Sequence, residues 1–372
     1  MDRLEMFRQL NGWMVSGKQD FQDRGRHGYG KNLLKTYLVE ANIPEDKVGN
    51  RSVGAFLQDI MSRESGSVRF TDDPTLWLLK FDGTETEHEF YLDTGDDRFW
   101  LIHTTSPAGE SDKAIRGLIR NNLYLDSSWV PGNQLSDWLT DLGHARVLTA
   151  KFAIQTGLYR EGLLEDEYED ESLLMRIGAS GDARVRWAEY ASLPPLAKSL
   201  ALWSARVVRT EAGSDAKITG DITASGKFTS RGDSFSLHQQ MTSVFRSQYK
   251  NLVENVETQH RISWSLNRES FYPQGEVAEI RFIDSLTRDE LVSLLGSIFN
   301  SREPYRLYGN PVERAGSRFV IQAVDLHTAG KLRFEISSTR LLVYLDKSTC
   351  GNVLVRLLTN LQHYSDARLR LS

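Results

Sequence analysis

The chain has 372 residues, of which 40% are apolar and 26% charged, and its formal net charge is −5. This length allows roughly two to four domains, and the composition excludes a disordered or fibrous protein in favour of a globular one. The one cysteine, Cys350, excludes an internal disulfide framework and favours a reducing compartment.

Membrane contact is not expected. No apolar run approaches the length that spans a bilayer, and the acidic segment Met1–Glu5 lacks the apolar core of a signal peptide. We therefore expect a cytoplasmic protein.

The charge is unevenly distributed along the chain. Residues 66–171 carry 9 basic and 21 acidic side chains, whereas the remainder is neutral to mildly basic. Arginine outnumbers lysine by 32 to 13, and the planar guanidinium suits bidentate contacts with phosphate or carboxylate. Genomic base composition explains this excess equally well. We expect the acidic block to face a protein partner or to shield a basic surface.

Residues 1–65 are predicted to form a helical module. Apolar residues recur with helical spacing over Leu33–Ala41 and again over Val53–Met61, and the turn Asn42–Asp46 separates the two runs. Two short helices joined in this way are typical of a helix-turn-helix DNA reader. The alternative is a plain helical hairpin that caps the next domain.

The segment Gly25–Asn32 nearly matches a phosphate-binding P-loop. Its spacing is met, but Asn32 replaces the Ser or Thr whose hydroxyl binds magnesium, and no buried strand precedes it. Three interpretations remain open: a nucleotide site, a plain loop, or a flexible arm whose basic side chains touch a phosphate backbone. The side chains of such an arm are Arg24, Arg26 and Lys31.

Residues 66–171 are predicted to form an acidic antiparallel α/β domain. Turn signals separate four candidate strands, and Glu161–Glu171 is typical of a solvated acidic linker. Two tryptophans, Trp129 and Trp138, follow the acidic strands and could anchor a partner protein. Core packing is the alternative for both. The predicted strands are Ser67–Phe70, Leu76–Phe81, Glu87–Leu92 and Phe99–His103.

The second half is predicted to contain one arrangement twice, over residues 172–270 and 271–372. Each copy consists of a strand, a helix, three or four strands and a closing helix. The second copy opens at Glu279–Ile283 and contains a capping box from Thr287 to Glu290. A duplicated unit favours a scaffold or binding surface over a single catalytic cleft.

This order resembles the half-fold of the TATA-box-binding-protein family. Arg318–Ile321 is similar to its first central strand, Leu332–Val343 to its hairpin, and Asp221–Thr229 to its strand–turn–strand segment. The resemblance implies a saddle-like sheet that contacts nucleic acid. Ile336 and Thr223 stand where the family inserts phenylalanines into DNA, so it concerns the fold more than TATA recognition. The predicted contact residues here are Arg318, Arg333 and Arg340.

One weak set of metal-binding residues occurs near the C-terminus. Asp325 and His327 lie at the end of the predicted strand Arg318–Asp325, and Glu335 lies on the next predicted strand, Leu332–Ile336. A histidine with two carboxylates could bind a metal or act as an acid–base pair, although a hydrogen-bonded surface turn explains them better. The chain contains no G-x-S-x-G, H-E-x-x-H or paired C-x-x-C motif. We therefore expect no cofactor.

The sequence thus predicts an α+β protein with a helical N-terminal module, an antiparallel α/β domain and two saddle-like repeats. We expect a non-catalytic binding protein that contacts nucleic acid through the N-terminal helices and the basic repeats. One alternative is a protein-interaction subunit of a prokaryotic defence or regulatory assembly. The other is a metal- or nucleotide-dependent enzyme.

Overall fold

The computed structural model describes residues 1–24, 33–44, 53–81, 89–152, 174–267, 270–314 and 318–372. The fold is α+β, as predicted, and contains two sheets with helices packed against them. The near-P-loop Gly25–Asn32 and the acidic segment Glu161–Glu171 lie outside the described residues. Among the helices that the structure describes, none combines the length and apolarity needed to cross a bilayer.

The large sheet is antiparallel, and residues from the first 232 positions form it. A short strand, β6 (Leu125–Ser127), also pairs with β1 at its edge. In spatial order the other strands are β2 (Gly66–Phe70), β3 (Leu76–Phe81), β4 (Glu89–Asp93), β5 (Phe99–Thr104), β1 (Leu34–Ala41), β11 (Lys227–Gly232), β10 (Lys217–Thr223), β9 (Leu200–Thr210), β7 (His144–Phe152) and β8 (Leu174–Gly178).

Helices cover the large sheet on both sides, so two hydrophobic clusters flank it. On one face α2 (Val53–Arg63) and α3 (Ala108–Asn121) pack against the odd-numbered residues of β1. The opposite face belongs to the main core, which also receives apolar residues of the second sheet. The helices on that side are α1 (Arg3–Arg24), α4 (Gly132–Leu142) and α7 (Phe235–His260). The helix α5 (Ala183–Ser192) lies beside β7 and β8, and α6 (Pro194–Ala197) lies beside α5.

The second sheet is formed by the C-terminal part of the chain. Its spatial order is β13 (Ser270–Gln274), β12 (Arg261–Asn267), β18 (Arg340–Asp346), β17 (Lys331–Ile336), β16 (Arg318–Asp325) and β15 (Leu307–Arg314), and β14 (Ala278–Arg281) also pairs with β18.

The C-terminal part of the chain also contains two helices, one between β14 and β15 and one after β18. The capping box predicted at Thr287 is confirmed at the start of α8 (Arg288–Ile298). The last helix, α9 (Asn352–Tyr364), is buried along most of its length. It contacts β7 and β9 of the large sheet, while Arg356 donates to the carbonyl of Tyr305 in the C-terminal unit. This helix therefore lies between the two sheets.

The helix predicted over Leu33–Ala41 is wrong, and the helix-turn-helix prediction falls with it. Residues Leu34–Ala41 form β1, which is paired on both sides and buried at every position. A strand covered on both faces shows no alternation of apolar and polar residues. Its apolar residues can then match helical spacing by chance. The β-formers Thr36, Tyr37 and Val39 favour the strand.

The two predicted repeats share their order of elements but differ in strand pairing. In the second copy the opening strand β14 pairs with β18, the last strand of that copy. In the first copy the opening strand β8 pairs with β7, and the last strand β11 pairs with β1. The large sheet thus runs across the predicted boundaries at residues 65/66 and 171/172. It does so because strands from the predicted domains 1–65, 66–171 and 172–270 pair with one another in this sheet.

Candidate functional site

The outer face of the second sheet is open to solvent. Along β16, β17 and β18, buried residues alternate with exposed or half-buried ones, because successive side chains of a strand point to opposite faces. The inner residues join the main core, where Phe334 packs edge-on against Phe299 with ring centroids 5.0 Å apart. The outer residues form a surface that no described helix covers, and we call it the outer face.

Strand register places arginines of the outer face in one row. Arg314 pairs with Arg318, and Arg281 pairs with Arg340. All four side chains are exposed, and that of Arg281 retains 76% of its accessible surface. Neighbouring strands are about 4.8 Å apart, so the row crosses one end of the sheet. We call these four residues the arginine row.

Acidic side chains on the outer face only partly neutralise its cations. Glu279 lies 2.9 Å from Arg281 and 3.5 Å from Arg340, and the hydrogen bond from Arg281 holds the pKa of Glu279 below its usual value. Exposed pairs of this kind contribute little to stability. The acids of this face are Glu279, Glu335 and Asp346, whereas its cations are Arg281, Arg314, Arg318, Lys331, Arg333 and Arg340.

Aromatic side chains accompany these cations. Tyr308 on β15 is 61% exposed, and the guanidinium of Arg333 lies 5.4 Å from the ring centre of Tyr344. On β12, Ile262 pairs with Asp346, and alternation places Trp264 on the same side two residues further on. Trp264 is 69% exposed. The outer face therefore combines guanidinium groups with flat apolar rings.

Of the predicted contact residues, the structure brings Arg318, Arg333 and Arg340 together on the outer face. Arg24 is the last residue of α1, and Arg26 and Lys31 lie outside the described residues. Arg281 and Arg314 are further members of the row that were not predicted. Their membership of the row depends on pairing between strands that are distant in sequence.

The tryptophans predicted as partner anchors are not surface residues. Trp138 is 8% exposed and packs edge-on against Phe245, with ring centroids 5.2 Å apart. Trp129 is half-buried, and its backbone N–H donates to the hydroxyl of Tyr249 at 3.1 Å. The anchor prediction is corrected to core packing for both, because Trp138 of α4 belongs to the main core and Trp129 packs against that core.

A charged network is buried beneath the second sheet, where it meets β1 and β6. Arg356 of α9 is completely buried and donates to the carboxylates of Asp126 and Asp325. Arg306 also contacts Asp126, at 3.2 Å. Burial alone would raise the pKa of Asp126, but the guanidinium groups of Arg356 and Arg306, with His327, lower it to about 2. We call this region the junction.

A second part of the junction surrounds Cys350, which is fully buried just before α9. Its sulfur lies 3.1 Å from Glu40 Oε1 and accepts from Arg98 Nη2 at 3.2 Å. Arg98 also binds Glu257 through two hydrogen bonds. Burial, followed by the charge of Glu40, raises the pKa of the Cys350 thiol well above its usual value. The thiol is therefore not activated as a nucleophile.

The predicted set Asp325, His327 and Glu335 is not assembled. Glu335 lies on the outer face, where it accepts from Arg333 at 2.7 Å, whereas Asp325 and His327 are fully buried at the junction. Asp325 is bound to Arg356, and His327 instead faces Glu40 and Cys350, with ligand atoms of the three within 4.8 Å of one another. Glu40 was not predicted, since a carboxylate inside a central strand gives no local signal.

Comparison with known proteins finds a relative that matches nearly the whole chain. The uncharacterized protein MJECL33 of Methanocaldococcus jannaschii is 22% identical over 402 residues, an alignment that covers 98% of this chain and 92% of the relative. The family model described as MJECL33-like protein matches residues 1–372. The chain therefore belongs to the MJECL33-like protein family.

Proposed function

We propose that the protein is a non-catalytic binder of single-stranded nucleic acid and that the outer face is its contact surface. The observation that carries this proposal is that the outer face combines the arginine row at one end of its strands with the exposed rings of Tyr308 and Trp264 toward the other end. Guanidinium groups bind backbone phosphates, and exposed aromatic rings stack on unpaired bases. We further propose a cytoplasmic setting, which suits a protein whose one cysteine is a thiol.

The choice of a single strand over a duplex follows from the shape of the contact groups. Bases in a duplex are already stacked on each other, so a flat ring such as Trp264 gains a stacking partner only from an unpaired base. The described outer positions of β15, β16, β17 and β18 are polar, aliphatic or tyrosine, so these four strands carry no phenylalanine wedge of the kind that kinks a duplex. The resemblance to the TATA-box-binding-protein half-fold remains a proposal about the fold of the two repeats.

Fluorescence anisotropy with labelled 20-residue RNA, DNA and duplex DNA tests the proposal. Replacing Arg281, Arg318 and Arg340 by alanine removes three phosphate contacts and is expected to weaken single-strand binding by roughly 100-fold, at about tenfold for each 1.4 kcal/mol. A matched control removes three exposed arginines elsewhere, on α3 and α5, and should bind as the unaltered protein does. These control residues are Arg116, Arg120 and Arg186.

Two results contradict the proposal. The first is an unaltered protein that binds none of these nucleic acids at low salt. The second is equal loss of binding in the outer-face variant and in the control variant, which would show only a dependence on net charge. Tighter binding of the duplex than of either single strand would contradict the stacking argument.

A further inference from the structure

We propose that Glu40, His327 and Cys350 bind a zinc ion at the junction and thereby join the two sheets. The three residues come from distant parts of the chain: Glu40 from β1, His327 from the turn after β16, and Cys350 from the segment before α9. All three are fully buried, and one ligand atom of each lies within 4.8 Å of the others. This site uses no residue of the outer face, so it stands independently of the proposed function.

Unpartnered polar atoms point to a missing ligand. In the described part of the chain, Glu40 Oε2 and both ring nitrogens of His327 lack a hydrogen-bond partner. A buried polar atom without a partner costs roughly 1–3 kcal/mol, and native proteins rarely leave three such atoms together. A cation bound by Glu40 Oε2 and a ring nitrogen of His327 would satisfy two of them.

The donor set selects the metal. Thiolate, imidazole and carboxylate are the three ligand types of protein zinc sites, with bond lengths of roughly 2.0–2.3 Å. Tetrahedral bonds of that length separate the ligand atoms by about 3.5 Å, so a spacing of up to 4.8 Å requires a small inward movement. Hard cations such as magnesium and calcium prefer sites made only of oxygen. The cysteine sulfur therefore favours zinc.

Groups around the cluster match the second layer of a zinc site. The Cys350 sulfur accepts from Arg98 Nη2 at 3.2 Å and from the backbone N–H of Asn352 at 3.3 Å, and two donors of this kind stabilise a thiolate. Asp126 Oδ2 lies 3.9 Å from His327 Nδ1. A carboxylate beside the second ring nitrogen orients a metal-bound histidine, so we assign Nε2 of His327 as the ligand.

Elemental analysis tests the site directly. Because the ligands are buried, zinc is expected to enter during folding, so the protein is measured both as isolated and after refolding with excess zinc. The expected content is about one zinc per chain. The variants Cys350→Ser and His327→Gln should lose most of it, whereas His144→Gln, which changes an exposed histidine on β7, should retain it.

Refolding with cobalt supplies a second measurement. Cobalt bound to Cys350 should give a thiolate-to-metal absorption band in the near ultraviolet, absent from Cys350→Ser and preserved in His144→Gln. Since a variant can fail to fold, Glu40→Gln, which keeps the side-chain shape, serves as a further test and should weaken zinc retention at least tenfold. Less than about a tenth of an equivalent of zinc in the refolded unaltered protein overturns the proposal. Zinc content or a cobalt band unaffected by Cys350→Ser and His327→Gln overturns it equally.

Discussion

Arginine and carboxylate side chains occur together in two regions of this molecule, the junction and the outer face. The two regions differ in how far these side chains are exposed to water. At the junction Arg356 is completely buried between Asp126 and Asp325. On the outer face Arg318 approaches Glu335 at 3.8 Å while 56% of its side chain stays exposed. The same two chemical groups are thus buried at the junction and solvent-exposed on the outer face.

This difference in exposure determines whether a charged side chain contributes mainly to folding or remains available for binding. A buried ion pair costs desolvation, so its partners depend strongly on each other, and removal of one leaves a charge without water or counter-ion. An exposed pair is screened and contributes little to folding. The exposed guanidinium groups therefore remain available to bind phosphate.

The largest effect is expected at Arg356. Replacing it by methionine leaves Asp126 and Asp325 in the junction without their main partner, and we expect the free energy of unfolding to fall by about 3–5 kcal/mol. Urea denaturation measures this change. The matched variant Arg318→Met on the outer face should change stability by less than about 0.5 kcal/mol. Similar losses in both variants would contradict the contrast between the two regions.

A pH effect is expected at Asp126. Although burial opposes its ionisation, Arg356 and Arg306 lower its pKa in the folded protein to about 2, below the unfolded value of about 3.9. Its contribution to stability is therefore present above about pH 4 and is lost as the pH falls toward 2. It amounts to about 2 kcal/mol.

The variant Asp126→Asn isolates this contribution. The difference in free energy of unfolding between the unaltered protein and Asp126→Asn should narrow by about 2 kcal/mol as the pH falls from 4 to 2. Urea titrations at each pH provide the values. Asp59→Asn, at a carboxylate that is 59% exposed, should show a nearly constant difference. A constant difference for Asp126→Asn would mean that the junction does not hold this carboxylate ionised.

A smaller effect is expected at Trp264. Its replacement by alanine should remove one stacked base and weaken single-strand binding by about tenfold, the low end of stacking energies. Folding should be unaffected, because the side chain is 69% exposed. Trp13→Ala on α1, where the side chain is 45% exposed, is the control in the same anisotropy titration. Equal affinity of the two variants would remove Trp264 from the contact surface.

Local sequence patterns were sufficient for much of the second sheet. Arg318–Asp325 is a strand with the predicted bounds. One face of this strand is buried and the other is exposed to solvent, so apolar and polar residues alternate clearly along it. The capping box at Thr287 was likewise visible as a local motif. The strand β15 was missed, since Gly309 and Pro311 interrupt its pattern and are tolerated there at an edge of the sheet.

Long-range pairing was not visible in the sequence. The strand β1 was predicted as a helix because both of its faces are buried. The arginine row depends on the register of Arg314 with Arg318 and of Arg281 with Arg340. The cluster of Glu40 with Cys350 joins positions 310 residues apart. Such contacts follow from the tertiary fold and leave no spacing signature.

Salt dependence of binding tests the central claim most directly. For a single strand, the logarithm of affinity falls with the logarithm of salt concentration by about 0.7 per phosphate contact. If the arginine row binds phosphates, replacing Arg281, Arg318 and Arg340 by alanine should reduce this slope by about 2. The same slope in the variant and in the unaltered protein would mean that nucleic acid, if bound at all, lies elsewhere on the molecule.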